Sequence, residues 1–405
     1  MENKKNIWII NQYVTRYDDS GGSRHLDFAA EWVKNGYEVH IFASGFHYNE
    51  YKEKVLKDDE NYKHEVINGV NLHWIRVFPY TSNNYKRFIS MYTFYSNIKK
   101  YIFSNSLKKP DMVIGSSVHL LGVLAAYQVS KKFNVKFIME IRDLWPETLV
   151  RLGKISKTHP IYIGFHFLEK FLYKKADYIV STLCGAYKYI NKFTDTNVKC
   201  IPNAFDLNKL DGLKSKNNSN HNFTVMYLGT IGIANSLDTL LKAALELKNT
   251  NIKFTIIGSG VSKQELEKFK ISNHLENVIF ENSIPKSKVL EKLSEAEVLW
   301  TGMPNSKELY EYGLSSNKIY DYMAVKKPIL ISTPLNSNII KDARCGISVE
   351  AENSNQLKDA ILNIYEMNKE QREELGQNGY DYLISNFTIQ KLSAKWYEIF
   401  GIKNA

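Results

Sequence analysis

"FTVMYLGTIGIANS", residues 223–236, begins as a strand and ends as the entry to a helix. The β-branched and aromatic run from Phe223 stops at Leu228, where Gly229 and Gly232 open a turn, and a helical pattern then extends from Ser236 to Lys248. The stretch immediately before it, "NAFDLNKLDGLKSKNNSNHN" (residues 203–222), is polar, has no clear period and reads as linker and surface loop. Upstream, β-rich runs and amphipathic helices alternate. "IWII" leads to a helix in "SRHLDFAAEWVKNG", with Leu26, Ala29, Ala30 and Val33 on one face, and then "YEVHIFAS", "DMVIGSS", a helix around Leu120–Lys132, "VKFIMEI", a helix through Ile161–Lys175, "DYIVS" and "VKCIP". Downstream, "IKFTIIGSG", "NVIFENSI", "AEVLWTG" and "KPILIS" continue the alternation. Strands separated by helices imply parallel sheets covered on both faces. The pattern predicts two α/β sheets in series, with ligands beyond the carboxyl ends of their strands and a cleft between the two.

Bulk composition agrees with that reading. A chain of 405 residues suits two domains of about 150–200 residues each. Hydrophobic residues at 44% and charged residues at 24% are ordinary for a globular protein, and no run of about 18 apolar residues marks a spanning helix. "MENKKNIWII" reads as a lead into a first strand, not a signal peptide. Cys184, Cys200 and Cys345 show neither pairing nor metal spacing and are expected as reduced thiols in a cytosolic protein. The formal charge of +10 suits nucleic acid, an anionic membrane or phosphorylated substrates; compositional bias toward lysine explains it equally well. No zinc-finger, RRM or DNA-reading signature is present, which sets nucleic acid aside.

Several segments carry chemistry. In "YGLSSNKIYDYM" (Tyr312–Met323) a loop runs through Gly313, Leu314, Ser315, Ser316 and Asn317 into the first turns of a helix. Unpaired amides and the positive end of the dipole make such a start attractive to anions. Gly313 permits close approach, Lys318 adds a full cation for a diphosphate, and Asp321 can accept from two vicinal ribose hydroxyls. A capped helix with surface polar residues is the alternative. "YLGTIGIANS" offers Gly229, Thr230 and Gly232 at a strand end but lacks the dinucleotide fingerprint and the Walker lysine. "IIGSGVSKQEL" repeats the idea with Gly258, Gly260 and Lys263, and a plain strand-to-helix turn carries equal weight there. In the first half, "NQYVTRYDDSGGSRH" sets Gly21 and Gly22 before a helix, and "MEIRDLWPETL" sets Arg142 and Asp143 at a strand end. A structural Arg142–Asp143 pair is the alternative. Tyr85–Lys109, "YKRFISMYTFYSNIKKYIFSNSLKK", mixes aromatics with six cations and contains no Asp or Glu. It suits a segment lying on anionic lipid, or a core stripe flanked by solvated lysines.

Together these segments resemble family 4 of the retaining glycosyltransferases, whose GT-B fold sets two Rossmann-like domains face to face. The resemblance runs through the Gly21–Gly22 loop, "IRDLWPE", "LEKFLYKKADYIVS", "CIPNAFD", "YLGTIG", "IIGSG" and "GLSSNKIYDYMAVKKPIL", and looks closest to the WbuB-like L-fucosamine transferase branch of O-antigen and capsule assembly. It implies an acceptor-binding domain over residues 1–203, joined by a returning helix at 388–405, and a nucleotide-sugar domain over 204–387. The family's second donor-site glutamate falls on Asp321 and its first on Gly313; the usual arginine and lysine of the donor phosphate site fall on Thr230 and Asn235. Charge compensation is therefore expected from Lys318, helped by Lys263 or Arg142. Many members carry a histidine where this chain has Arg142–Asp143. The resemblance assigns catalysis to Lys318, Arg142 and Asp143, and donor contacts to Gly229, Thr230, Gly232, Gly258, Gly260, Lys263, Gly313, Leu314, Ser315, Ser316, Asn317 and Asp321. It assigns the acceptor side to Gly21, Gly22, Arg24 and His119.

The implied reaction moves a sugar, an N-acetylated deoxyhexosamine, from a UDP-sugar to a lipid-diphosphate-linked oligosaccharide. Its place would be the inner face of the cell membrane, with Tyr85–Lys109 on anionic lipid. No Asp-x-Asp motif lies in the cleft segments, so neither a cofactor nor an obligatory metal is expected. A sugar-nucleotide epimerase of the same fold and a non-catalytic sugar-nucleotide-binding protein are the alternatives.

Overall fold

The computed structural model describes residues 4–17, 19, 24–82, 84–211, 223–314 and 316–401. The chain divides into two compact units. The first comprises the described residues of Met1–Asn203, Glu311–Ser315 and Ile389–Ala405; the second comprises those of Ala204–Tyr310 and Ser316–Thr388.

Sixteen strands occur among the described residues. In the first unit they are β1 (Asn6–Ile10), β2 (Glu38–Ser44), β3 (Phe46–His47), β4 (Lys52–Glu53), β5 (Tyr62–Ile67), β6 (Val70–Ile75), β7 (Met112–Ser117), β8 (Lys136–Ile141), β9 (Tyr178–Ser181) and β10 (Val198–Cys200). Eight of them form one sheet in the order β10-β9-β8-β7-β1-β2-β6-β5, while β3 and β4 make a small separate ribbon. Every pairing in the large sheet is parallel except β5 with β6. β1 and β7 are buried at every position, as strands covered by helices on both faces must be. β1 sits between β2 and β7, so the winding reverses at its carboxyl end.

The second unit holds β11 (Phe223–Leu228), β12 (Ile252–Ile257), β13 (Val278–Glu281), β14 (Val298–Gly302), β15 (Ile329–Thr333) and β16 (Gly346–Glu350). They form an all-parallel sheet ordered β13-β12-β11-β14-β15-β16, whose reversal lies between β11 and β14. The Leu237–Glu246 helix buries Leu237, Leu240, Leu241, Ala243 and Ala244 against this sheet in a core shared with Trp300, Tyr227 and Phe254.

The last helix, Ile389–Phe400, lies on the Arg24–Lys34 helix of the first unit. Trp396 and Phe400 meet Trp32 at ring-centroid distances of 5.3 and 4.9 Å, and Phe28 completes the cluster. Lys5 Nζ donates to the Phe400 carbonyl at 2.7 Å.

One sequence expectation needs revision. Cys184 and Cys200, expected as separate thiols, are joined as a disulfide with Cα atoms 4.9 Å apart; only Cys345 among the three is free, and it is buried. The pairing links the loop after β9 to the end of β10, two strands adjacent in the sheet, a proximity that spacing along the chain does not reveal. Within Tyr85–Lys109, the Tyr85–Ser104 helix has one core-facing stripe and one exposed aromatic stripe. Met91, Phe94, Ile98 and Ile102 enter the core, whereas Tyr85, Phe88, Ile89 and Tyr92 face solvent. Among the described residues no helix is long and apolar enough to cross a membrane.

Candidate functional site

The second unit gathers half of the candidate donor residues at the carboxyl ends of β11 and β12. The Gly229 amide donates to the Ile257 carbonyl and the Ile231 amide to the Ser259 carbonyl, so the two glycine turns are laced together. Gly258 and Gly260 are what permits that closeness. A Cβ on Gly258 would lie 1.9 Å from the Gly229 oxygen, and one on Gly260 would lie 2.2 Å from the Ile231 oxygen. The Thr230 carbonyl accepts from the Tyr227 hydroxyl at 2.6 Å and from Asn235 Nδ2 at 3.0 Å, which fixes the turn that runs through Gly232.

Lys318 lies over this turn. Its Nζ would sit 3.3 Å from a Cβ on Gly229, donates to Tyr227 Oη at 2.9 Å and to Asn235 Oδ1 at 2.7 Å, and stands 4.4 Å from the centroid of the Tyr227 ring. Asn235 is the position at which the family resemblance sets a lysine. The helix side chain therefore brings a cation to the place where the loop has lost one. Lys318 keeps partial solvent access, yet most of its surroundings are protein, and that burial pulls its ammonium down to about 7. A cation so weakly compensated is poised for an anionic ligand.

The Asn317–Ala324 helix that carries Lys318 begins at Ser316, whose side chain makes no capping hydrogen bond. Its first-turn amides add to the positive end of the dipole beside the ammonium. Asn317 is exposed, and Asp321 is half-buried a turn further on. Lys263 is placed differently: its ammonium binds the Gly258 and Glu281 carbonyls at 3.3 and 3.2 Å and Asn282 Oδ1 at 3.0 Å, holding strand ends together. Gly313 (φ +111°) and Leu314 belong to the first unit, where the neighbouring Tyr312 carbonyl accepts from the Gly185 amide at 2.9 Å. Ser315, Gly21 and Gly22 lie outside the described residues.

In the first unit, Arg24 is turned inward instead of toward an acceptor. Its Nε donates to Glu140 Oε1 at 2.9 Å, its guanidinium also meets the Ile201 and Pro202 carbonyls, and it covers the Phe28 ring. His25 Nε2 donates to Glu140 Oε2 at 2.6 Å while its Nδ1 accepts from Asn11 Nδ2 at 3.1 Å, the arrangement of a neutral imidazole. Burial pulls His25 down against the raising effect of Glu140. Burial alone would raise Glu140, but His25 and Arg24 hold it well below the carboxylate range. This buried network was not legible in the sequence, because its partners stand 115 and 116 positions apart.

His119 caps the Leu120–Phe133 helix: its Nδ1 accepts from the Gly122 amide at 3.1 Å and its Nε2 donates to Gln12 Oε1 at 2.7 Å. Burial, with Arg87 assisting, pulls it to about 3, so it is neutral at physiological pH. Arg142 follows β8, with its amide donating to Ser117 Oγ at 3.3 Å. Asp143 beside it is exposed, yet the protein packed around its carboxyl raises it, with Arg142 opposing.

One further cluster, Asp19, His47 and Glu50, has the donor types of a cation site, but the Lys54 ammonium already sits on it, 2.5 Å from Asp19 and in contact with Glu50.

These two sheets, each with one reversal of its winding, are the GT-B architecture. Residues 20–209 match the model of Glycosyltransferase Family 4, and residues 222–367 match that of Glycosyl transferases group 1. Both models are of glycosyltransferases, and the chain is one, with its first half matching family 4. Among solved structures, it resembles a sucrose-phosphate synthase from Thermosynechococcus elongatus (TM-score 0.73, 16% identity, 98% of each chain). It also resembles Anabaena HepE in complex with UDP-glucose (TM-score 0.67, 11% identity, 98% of this chain and 99% of that one). A third neighbour is WaaG, a glycosyltransferase involved in lipopolysaccharide biosynthesis (TM-score 0.66, 14% identity, 97% and 99%). No curated protein matches the chain.

Proposed function

We propose that the protein transfers a sugar from a UDP-sugar, with retention of configuration, to a lipid-diphosphate-linked oligosaccharide in O-antigen or capsule synthesis. The donor sugar is an N-acetylated deoxyhexosamine, as in the WbuB-like branch. The observation that carries the donor half is Lys318 Nζ held over the Gly229 turn by Tyr227 and Asn235, beside a helix start that lacks a side-chain cap. A diphosphate accepts hydrogen bonds from both kinds of group. Nucleotide-bound HepE supports a uridine diphosphate donor, and WaaG supports a role in surface polysaccharide. The acceptor half is supported by the exposed aromatic and basic face of the Tyr85–Ser104 helix, which suits the inner surface of the membrane.

In the front-face reaction that the family resemblance implies, the C–O bond to the leaving diphosphate breaks as the acceptor oxygen attacks the same face. The departing diphosphate takes the acceptor's proton. The enzyme's part is to stabilise the growing negative charge, and Lys318 and the helix amides are placed to do so. No metal is required in this scheme. The test is release of the nucleoside diphosphate (UDP, GDP or CDP) from a panel of UDP-, GDP- and CDP-sugars mixed with lipid-linked acceptor, with and without chelator. UDP release that depends on the acceptor and survives the chelator is expected; release from GDP- or CDP-sugars alone, or its loss with chelator, would overturn the corresponding part.

A further inference from the structure

Two helices of the first unit leave large apolar side chains in water. On the Tyr85–Ser104 helix, Tyr85 and Tyr92 are 68% and 61% exposed, with Phe88 and Ile89 between them on the same stripe. On the Pro160–Lys175 helix, Ile163 and Phe167 are 57% and 75% exposed and stand one turn apart. The second stripe played no part in the sequence reading. The two are joined by rings: Phe88 lies 6.4 Å from both Trp145 and Phe165, and Trp145 and Phe165 are 5.6 Å apart. Each stripe runs into lysines at its C-terminal end: Lys99 and Lys100 on one helix, Lys170 and Lys174 on the other. Neither helix exposes a carboxylate. The first contains none, and the only acid of the second, Glu169, is fully buried with Tyr173 and Tyr189 on its oxygens.

We infer that both helices form one membrane-docking face, in which the Pro160–Lys175 helix inserts Ile163 and Phe167 among the acyl chains while its lysines meet anionic headgroups. The inference rests on the membrane reading above and adds to it the second helix. Two exposed apolar stripes linked through aromatic rings, on helices whose exposed charges are all cationic, with no spanning helix among the described residues, fit an anionic bilayer interface. A protein partner would be expected to answer the lysines with its own acids while burying the aromatics.

Vesicle flotation of the full chain tests it, with phosphatidylcholine vesicles compared to vesicles containing phosphatidylglycerol. Three proteins are compared: wild type, Ile163→Ser/Phe167→Ser and Tyr85→Ser/Tyr92→Ser. All four positions are exposed, so thermal midpoints should match, and UDP binding serves as a control that the donor unit is intact. Wild type floating with the anionic vesicles, and each double variant losing about tenfold in partition, is the expected result. If the Tyr85/Tyr92 variant detaches and the Ile163/Phe167 variant does not, the second helix is excluded while the membrane reading stands. If wild type floats with neither vesicle, the membrane reading itself fails. Concentration-dependent dimerisation of wild type, abolished by the Ile163/Phe167 substitutions, would assign the face to a second copy and overturn the inference.

Discussion

Lys318 is where a single residue decides most. The sequence shows a lysine one position into a helix, which is enough to suspect an anion, but not what the ammonium rests on: Tyr227 and Asn235 stand 91 and 83 positions away. Replacing Lys318 by alanine should lower turnover 10²- to 10³-fold, about 2.7–4 kcal/mol of barrier, with the fold intact; steady-state kinetics with folded variant checks this. Asp321→Asn should act mainly on donor affinity, read as a raised dissociation constant with little change in turnover. Stability moves the other way. The folded value of about 7 lies below the ~10.4 of an unfolded lysine, so between those values the unfolded chain binds the extra proton. This group therefore makes stability climb as pH rises from about 7 toward 10 and leaves its penalty greatest below 7. Lys318→Met should raise the thermal midpoint by about 2–4 °C at pH 7, and the difference from wild type should shrink as pH approaches 10. Midpoints measured across that range check the sign; a variant less stable than wild type at pH 7 would show that the two hydrogen bonds outweigh the buried charge.

At the scale of elements, the glycine turns after β11 and β12 were legible as punctuation but not as a joint. A strand followed by glycines announces a turn; it does not say that Gly258 lies against the carbonyl of Gly229. Gly258→Ala has to move backbone, since its Cβ would meet that oxygen at 1.9 Å and its φ is +152°. A loss of about 1–3 kcal/mol with weakened UDP binding is expected. Gly232→Ala is the contrast: its φ is −137° and the nearest atom to a new Cβ is the Thr230 methyl at 3.8 Å, so the fold should tolerate it. Thermal shift with and without UDP separates the two. Several helices and most of the parallel strands were readable because periodicity is local, although the parallel strands β6 and β16 were not picked out. β5 was not, since its pattern of largely exposed residues carries no buried run, and neither was the Arg24–His25–Glu140 network, whose members only the fold brings together.

For the molecule as a whole, the division into two sheets was legible from one polar interruption in an otherwise alternating chain. The return of the C-terminus to the first unit rested on the family resemblance alone, because nothing in Ile389–Phe400 says which unit its apolar face covers. The structure puts Trp396 among Phe28, Trp32 and Phe400, all buried. Its indole nitrogen has no hydrogen-bond partner there, so truncation removes packing and no polar contact. Trp396→Ala should cost about 3–5 kcal/mol, and that cost should fall on the first unit, whose core it belongs to. The second unit keeps its own core around Tyr227, Trp300 and Leu330, together with the Lys318 site. Denaturant unfolding followed by tryptophan fluorescence, with and without UDP, tests this. Earlier loss of the first unit is expected, while the UDP-dependent stabilisation persists. Equal loss of both would mean that the two units unfold as one cooperative body, with the last helix stabilising the donor site as well as the sheet it covers.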